Sequence, residues 1–319
     1  MMTGCLDSLG KGKLFGLTPR LSREKVSRAS MMLPRLHLFE LEDQPWFPGI
    51  IRDLATDYLC FMQATFRLHR LVVPLLAESL RATGHRQIVD LCSGGGGPVP
   101  EIQNDLSANG LDTHITLTDR FPNLPAFQRT AETAAGRIGF VAESVDARSV
   151  PDRLRGFRTI FNSFHHFAPA EAQKILRNAA EAGQPIGVFE YPERAALIIL
   201  LTAILTPLLV AVATPFMRPF RWPRFLFTYL LPLVPLTCWW DGIISQLRAY
   251  TVGELESVAI EGAGNSYEWR AGTIALPNSP GHLTYLLGLP LKDLHRARGA
   301  EAENRFEAVA RRERIGGVT

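Results

Sequence analysis

Between residues 87 and 191, five short apolar runs alternate with segments of helical character, and this alternation limits the folds open to the chain. The runs are QIVDL (87–91), HITLTD (114–119), IGFVAESV (138–145), FRTIFNSF (157–164) and PIGVFEY (185–191). Runs of this length, bounded by turn residues, read as strands. Pro98 suits a first helical turn and Gly110 a helix stop, and Pro169 and Gly183 frame a second helix in the same way. Strands and helices in alternation predict a parallel sheet covered on both faces, an α/β fold. Later, SYEWRAGTI (266–274) and HLTYLLGL (282–289) flank a Pro/Asn/Gly-rich segment and read as a terminal hairpin. Thr251 and Glu254 have capping-box spacing and open the helix before it.

Ahead of the first strand, residues 36 to 80 carry a helical pattern. Ile50, Leu54, Tyr58 and Met62 recur at spacing four, as do Leu68, Val72, Leu76 and Leu80, with a kink or helix start expected at Pro74. These helices are expected to form an N-terminal helical cap over 31–85. Residues 1–30 mix Gly, Ser, Lys and Arg without periodicity and read as a disordered tail, and 291–319 as a charged C-terminal tail. Cys5, Cys60, Cys92 and Cys238 are scattered, with no metal or CxxC spacing, so a reducing, cytosol-facing compartment is the expectation. A net charge of +3 is too small to imply a nucleic-acid partner, and none is expected.

The run IVDLCSGGGGP sets Gly94 to Gly97 directly between a strand and a helix. Glycine permits tight turns and close approach of a ligand to main-chain N–H groups. At the carboxyl edge of a parallel sheet, such a turn is where α/β folds bind ligands. A P-loop would end in Gly-Lys-Ser/Thr, and this turn does not. A dinucleotide fingerprint needs GxGxxG, but its third glycine falls on Val99 or Pro100.

With those residues in view, the chain resembles the class I S-adenosylmethionine-dependent methyltransferases, over about 86–194 and again over 241–290. Their first motif runs acidic-x-Gly-x-Gly-x-Gly. It aligns Asp90 with the acidic position and Gly94 and Gly96 with the second and third glycines, while Cys92 replaces the first. The resemblance implies a Rossmann-like seven-stranded sheet with an antiparallel last strand, and S-adenosyl-L-methionine as cofactor. It implies that Asp119, closing the second strand, binds the ribose hydroxyls, a task suited to a carboxylate with two acceptor oxygens. It implies that Asp146 and Ala147, after the third strand, contact the adenine. A nucleotide-dependent oxidoreductase and a non-catalytic, membrane-associated cofactor-binding module with the same fold are the rival readings.

For chemistry, FNSFHHF (161–167) follows the fourth strand, at the mouth where substrate enters. His165 and His166 are the catalytic candidates, because imidazole titrates near neutrality. The plainer reading is that one caps a helix and the other packs. Glu190, Tyr191, Asp241, Arg248 and Tyr250 are further candidates.

Residues 195–240 interrupt the α/β pattern. The 23 residues from Ala195 to Met217 carry no charge, and neither do the 16 from Phe225 to Trp240. The first stretch would span about 34 Å as a helix, enough to cross a bilayer. A spanning hairpin would put Arg218, Arg221 and Arg224 on the far side, against the positive-inside rule. Pro207 and Pro232 instead suggest two segments that dip, bend and return, leaving the arginines among lipid headgroups on the cytoplasmic face. The expected partners are therefore membrane lipids and a lipophilic small-molecule substrate. The cofactor site, built before residue 195, is expected to survive removal of 195–240.

Overall fold

The computed structural model describes residues 33–297 and 299, apart from 265 and 278. The tail read at 1–30 lies outside the described residues, as does the tail beyond 299; residues 291 to 297 are helical.

Seven strands form one sheet: β1 (Gln87–Leu91), β2 (His114–Leu117), β3 (Ile138–Phe140), β4 (Phe157–Phe161), β5 (Ile186–Glu190), β6 (Tyr267–Ala275) and β7 (His282–Pro290). Their order is β3-β2-β1-β4-β5-β7-β6. The first five are mutually parallel, while β7 runs antiparallel to both β5 and β6. This is the expected α/β, Rossmann-like methyltransferase sheet with its antiparallel last strand. The order reverses between β1 and β4, so the loops leaving those strands part and open a crevice at their carboxyl ends. Only the first three residues of the third apolar run enter the sheet.

Helices cover both faces because the central strands are apolar on both. On one side lie α2 (His69–Thr83) and α3 (Val99–Ala108), where Val72, Leu76 and Leu80 meet Ile102 and Leu106. On the other lie α5 (Pro169–Glu181) and α9 (Val252–Ala263), through Ile175, Leu176, Leu255 and Ala259. The capping box of Thr251 and Glu254 opens α9 as expected. Between β2 and β3 runs α4 (Leu124–Thr133).

The two N-terminal helices take different places. The second of them, α2, is a layer of the sheet's own core and begins five residues ahead of Pro74. Residues 36–48 are not helical either. Pro34, Pro45 and Pro48 interrupt the helix, and the strap bonds elsewhere: Leu33 N donates to Arg194 O, and Leu36 N to Leu247 O. Leu41 N and Glu42 N both donate to the Asp241 carboxylate. Helix α1 (Gly49–Thr65) follows the strap.

The insertion folds as α6 (Ala196–Ala213), α7 (Trp222–Phe225), a π-helical turn (Leu226–Leu230) and α8 (Leu233–Arg248). Among the described residues, one helix is long and apolar enough to cross a membrane, Ala196–Phe216, and only 11% of it is buried. The chain bends by 75° beside Pro232, whereas α6 continues through Pro207 as one helix. Pro207 cannot donate to Ala203 O, four residues back; the indole of Trp239 donates to that carbonyl instead, at 2.9 Å. Ile51, Leu54 and Tyr58 of α1 pack on Val210, Val234 and Cys238 of the insertion.

The arginine loop departs from expectation. Arg224 is fully buried, and its Nη2 lies 2.7 Å from Asp57 Oδ2 on α1. Arg221 Nη1 reaches the same oxygen at 3.0 Å, so only Arg218 of the three is exposed. A guanidinium buried this deeply must have a carboxylate, and α1 supplies it. Asp57→Ala should therefore cost about 3–5 kcal/mol in urea unfolding, the penalty of stranding a buried charge. A loss below 1 kcal/mol would mean the loop is not docked on α1.

Candidate functional site

The turn after β1 builds one half of the site. Cys92, at the position where the resemblance implies a glycine, takes φ +58°, in the left-handed region that favours glycine, at a cost of about 1–2 kcal/mol. Gly94 and Gly96 follow at φ +54° and +92°. Gly95 is needed for another reason: a Cβ there would lie 3.1 Å from both Thr56 Cγ2 and Cys60 Sγ, so α1 rests on the turn as a roof.

Two carboxylates hold this turn. Asp90 is buried; Thr159 Oγ1 donates to its Oδ1 at 2.7 Å and Ser93 Oγ to its Oδ2 at 2.6 Å. Burial pushes its pKa up to about 7, with a smaller push from Asp119, against the two hydroxyl donors. Asp119 accepts from Gly94 N through Oδ2 (2.8 Å) and from Phe121 N through Oδ1 (2.7 Å). Each oxygen keeps a lone pair for a ligand. Beside the turn lies a cavity of about 400 Å³, lined by Asp90, Cys92, Gly94 and Asp119, by Thr56 and Cys60 of α1, and by Asp43, Ser163, His166 and Arg248.

Asp146 and Ala147 do not reach the cavity wall. Arg148 donates to both oxygens of Asp146, and also reaches Glu171. The cavity is lined by Arg148 and Glu171 in their place.

The histidines stand opposite the glycine turn, on a 3₁₀ turn (Phe164–His166) that Glu190 organises from the end of β5. Ser163 N and Phe164 N donate to Glu190 Oε1, each at 2.8 Å, and His165 Nδ1 lies 2.5 Å from Oε2. Burial alone would raise the Glu190 pKa, yet His165 and these amides hold it below the usual range. His165 is buried behind the wall, whereas His166 faces the cavity. His166 Nδ1 sits 2.8 Å from Asp43 Oδ1 and 3.0 Å from Glu40 Oε2. Burial opposes its protonation, but the pull of Glu40 and Asp43 prevails and drives its pKa up to about 10. Asp43 is correspondingly held well below the carboxylate range by His166 and Arg248, against its own burial. As the protein stands, His166 carries a proton at neutral pH and is not a free base.

Arg248 completes the wall. Its Nη1 lies 3.1 Å from Glu40 Oε1 and 2.8 Å from Asp43 Oδ2, and its Nη2 donates to His166 O at 2.7 Å. Of the further candidates, Tyr191 and Tyr250 donate their hydroxyls to backbone carbonyls, and Asp241 caps the strap. Sequence reading missed Glu40 and Asp43. The acidic run E-L-E-D before P-W-F-P was their only local signal.

Strand order and glycine turn together define the fold as that of the class I methyltransferases. No family model matches the chain, and no curated protein does. Among solved structures it is similar to an O-methyltransferase family protein from Burkholderia thailandensis, at 15% identity and TM-score 0.38, over 72% of this chain and 58% of that one. The S-adenosylmethionine-dependent methyltransferase SibL gives 15% identity and TM-score 0.43, over 80% of this chain and 64% of that one. A methyltransferase from Aquifex aeolicus gives 12% and 0.37, over 64% and 81%. The chain thus spans less than two thirds of the first two. At these values the likenesses carry no statement about activity.

Asp90 gives the site a pH signature. Its folded pKa stands above the unfolded value, so the native protein keeps a proton that the unfolded chain releases near pH 4. Its contribution is full below pH 4 and is lost as the pH climbs towards 7. Asp90→Asn should therefore gain stability on the wild type across pH 4 to 7, measured by thermal melts at a series of pH values. Parallel curves would show that Asp90 is already ionised at low pH.

Proposed function

We propose that this chain transfers a methyl group from S-adenosyl-L-methionine to a lipophilic small molecule at the cytoplasmic face of a membrane. The observation that carries the first half is the joint between Asp119 and Gly94: the acidic end of β2 grips the glycine turn after β1, and both face one cavity. The residues present fit the cofactor. Positive φ at Cys92, Gly94 and Gly96 turns main-chain atoms inward, and Asp119 offers spare acceptor capacity beside them. When bound, the cofactor supplies a methyl group already activated on a sulfonium. The protein's task is then to position the acceptor and exclude water. The α1 roof and the strap close the cavity over the turn, and His166 and Asp43 mark the wall where the acceptor's reacting atom would lie.

Calorimetry tests this half. Asp119→Ala should weaken S-adenosylmethionine binding by about 2–3 kcal/mol, the value of a charged hydrogen-bond partner. Unchanged affinity would remove the reading, and tighter binding of NAD in a parallel titration would replace it with a redox one.

The membrane half rests on the outer face of the insertion. Leu197, Leu200, Ile204, Leu208 and Val212 of α6 are each more than half exposed, as are Phe216, Phe220, Trp222 and Leu230 beyond it. A contiguous apolar surface of this kind, edged by aromatic side chains, suits a bilayer interface. Each such side chain contributes about 1.5–3 kcal/mol when it leaves water. The wild type should float with phosphatidylcholine–phosphatidylglycerol vesicles, and Leu200→Ser/Ile204→Ser/Leu208→Ser should not, with cofactor affinity unchanged. A wild type that stays at the bottom of the gradient would end the membrane half and leave the other standing.

A further inference from the structure

Two imidazoles and two carboxylates meet at the inner wall of the cavity, from segments more than 120 residues apart. One donor atom each from Glu40, His165 and His166 lies within 4.8 Å of the others. The closest approaches are 3.0 Å between Glu40 Oε2 and His166 Nδ1, and 3.9 Å between Glu40 Oε1 and His165 Nε2. Asp43 Oδ1 is 2.8 Å from His166 Nδ1. Ligands held at about 2.0–2.2 Å from one ion stand about 3–3.6 Å apart, so small side-chain shifts suffice.

The surroundings point the same way. Glu190 occupies Nδ1 of His165 and leaves Nε2 directed at Glu40, the carboxylate–histidine arrangement that orients metal ligands. Arg248 takes Glu40 Oε1 and Asp43 Oδ2. That leaves Oε2 and Oδ1, the two oxygens beside His166, to share a cation. Glu40 and His165 are fully buried, so this is not a solvated acidic patch. Glu40, Asp43 and Glu190 bring three carboxylates to the two imidazoles, and a dication would take the place of the proton that His166 carries between Glu40 and Asp43.

We propose that Glu40, Asp43, His165 and His166 bind one divalent transition-metal ion at the wall of the cavity. Mixed imidazole and carboxylate ligands suit Zn²⁺, Mn²⁺, Fe²⁺ or Co²⁺ better than the all-oxygen preference of Ca²⁺ or Mg²⁺. His166 and Asp43 line the cavity, so the ion faces it. On the methyl-transfer reading, on which this further role rests, the ion would hold the acceptor's oxygen and lower its pKa, so that the hydroxyl proton leaves to solvent before the methyl group is transferred. The two histidines then act as ligands rather than as bases.

The test uses the full chain, stripped with a chelator and titrated by calorimetry with Mn²⁺ and, separately, Zn²⁺. One ion per chain should bind with micromolar or tighter affinity. His165→Ala and Glu40→Gln should weaken binding at least tenfold, while Asp119→Ala leaves it unchanged. A second readout guards against misfolded variants: wild-type protein loaded with Mn²⁺ should show coupling to imidazole nitrogen in pulsed EPR. Failure of both ions to bind at one per chain would overturn the site. So would bound Mn²⁺ without nitrogen coupling. S-adenosylmethionine titrated into the same stripped samples reports on the methyl-transfer reading separately, because its site is the glycine turn.

Discussion

The guanidinium of Arg248, buried at the last turn of α8, holds three distant segments to one another. It bonds Glu40 and Asp43 of the strap and the carbonyl of His166 after β4, and its own carbonyl accepts from Arg35. A charge buried this far is tolerated only with several partners in good geometry. Here the partners are the parts of the site that no local propensity would hold. A strap without helical or sheet bonding has little to order it except such contacts, and the turn bearing both histidines is fixed between Arg248 on one side and Glu190 on the other. The inner wall of the cavity is therefore built from a residue of the insertion's own last helix.

That dependence changes what the insertion is. The sequence suggested an element that could be removed to leave the site intact. In the structure, α1 has two working faces, as its 3.6-residue period allows. Ile51, Leu54 and Tyr58 bury against α6 and α8, while Thr56 and Cys60 press on the glycine turn. Asp57 carries the charge of Arg224 from the same helix. Without 195–240 the roof of the cavity would lose its backing, Asp57 would lose both Arg221 and Arg224, and Asp241, which holds the strap, would be left at the cut end of its helix.

Much of the sheet was legible because its signals are local. An apolar run closed by glycine or proline marks a strand wherever it lies, and the turn from Asp90 to Gly97 announced a ligand edge in eight residues. The strap was illegible because Asp241, two hundred residues away, shapes it through Leu41 N and Glu42 N. Pro207 misled for a similar reason. Its break in the helix is repaired by Trp239, which only tertiary packing brings within reach of Ala203 O. Asp146 stands correctly after its strand, but Arg148, two residues on, takes both of its oxygens. In each case the deciding partner was invisible to a reading of period and spacing.

The point at which the insertion leaves the sheet links its two roles. The chain departs right after Glu190, the residue that orients His165, and returns at Tyr250 and Thr251. Arg194 Nη2 and Glu254 Oε2 tie the departing and returning strands of chain at 2.5 Å, and Glu193 N donates to Gln246 Oε1 at 2.5 Å. Both ends are thus pinned at the carboxyl edge of β5, beside the cavity. The exposed helix α6 packs along α8, and α8 in turn packs on α1, the roof of the glycine turn. On the membrane reading, this fixes the depth at which the cavity sits against the bilayer: an acceptor with an apolar tail can keep that tail in lipid while its polar end reaches past α1 to His166. A lipophilic substrate free in water would need no such staple, because an apolar face turned outward only adds to the cost of staying dissolved.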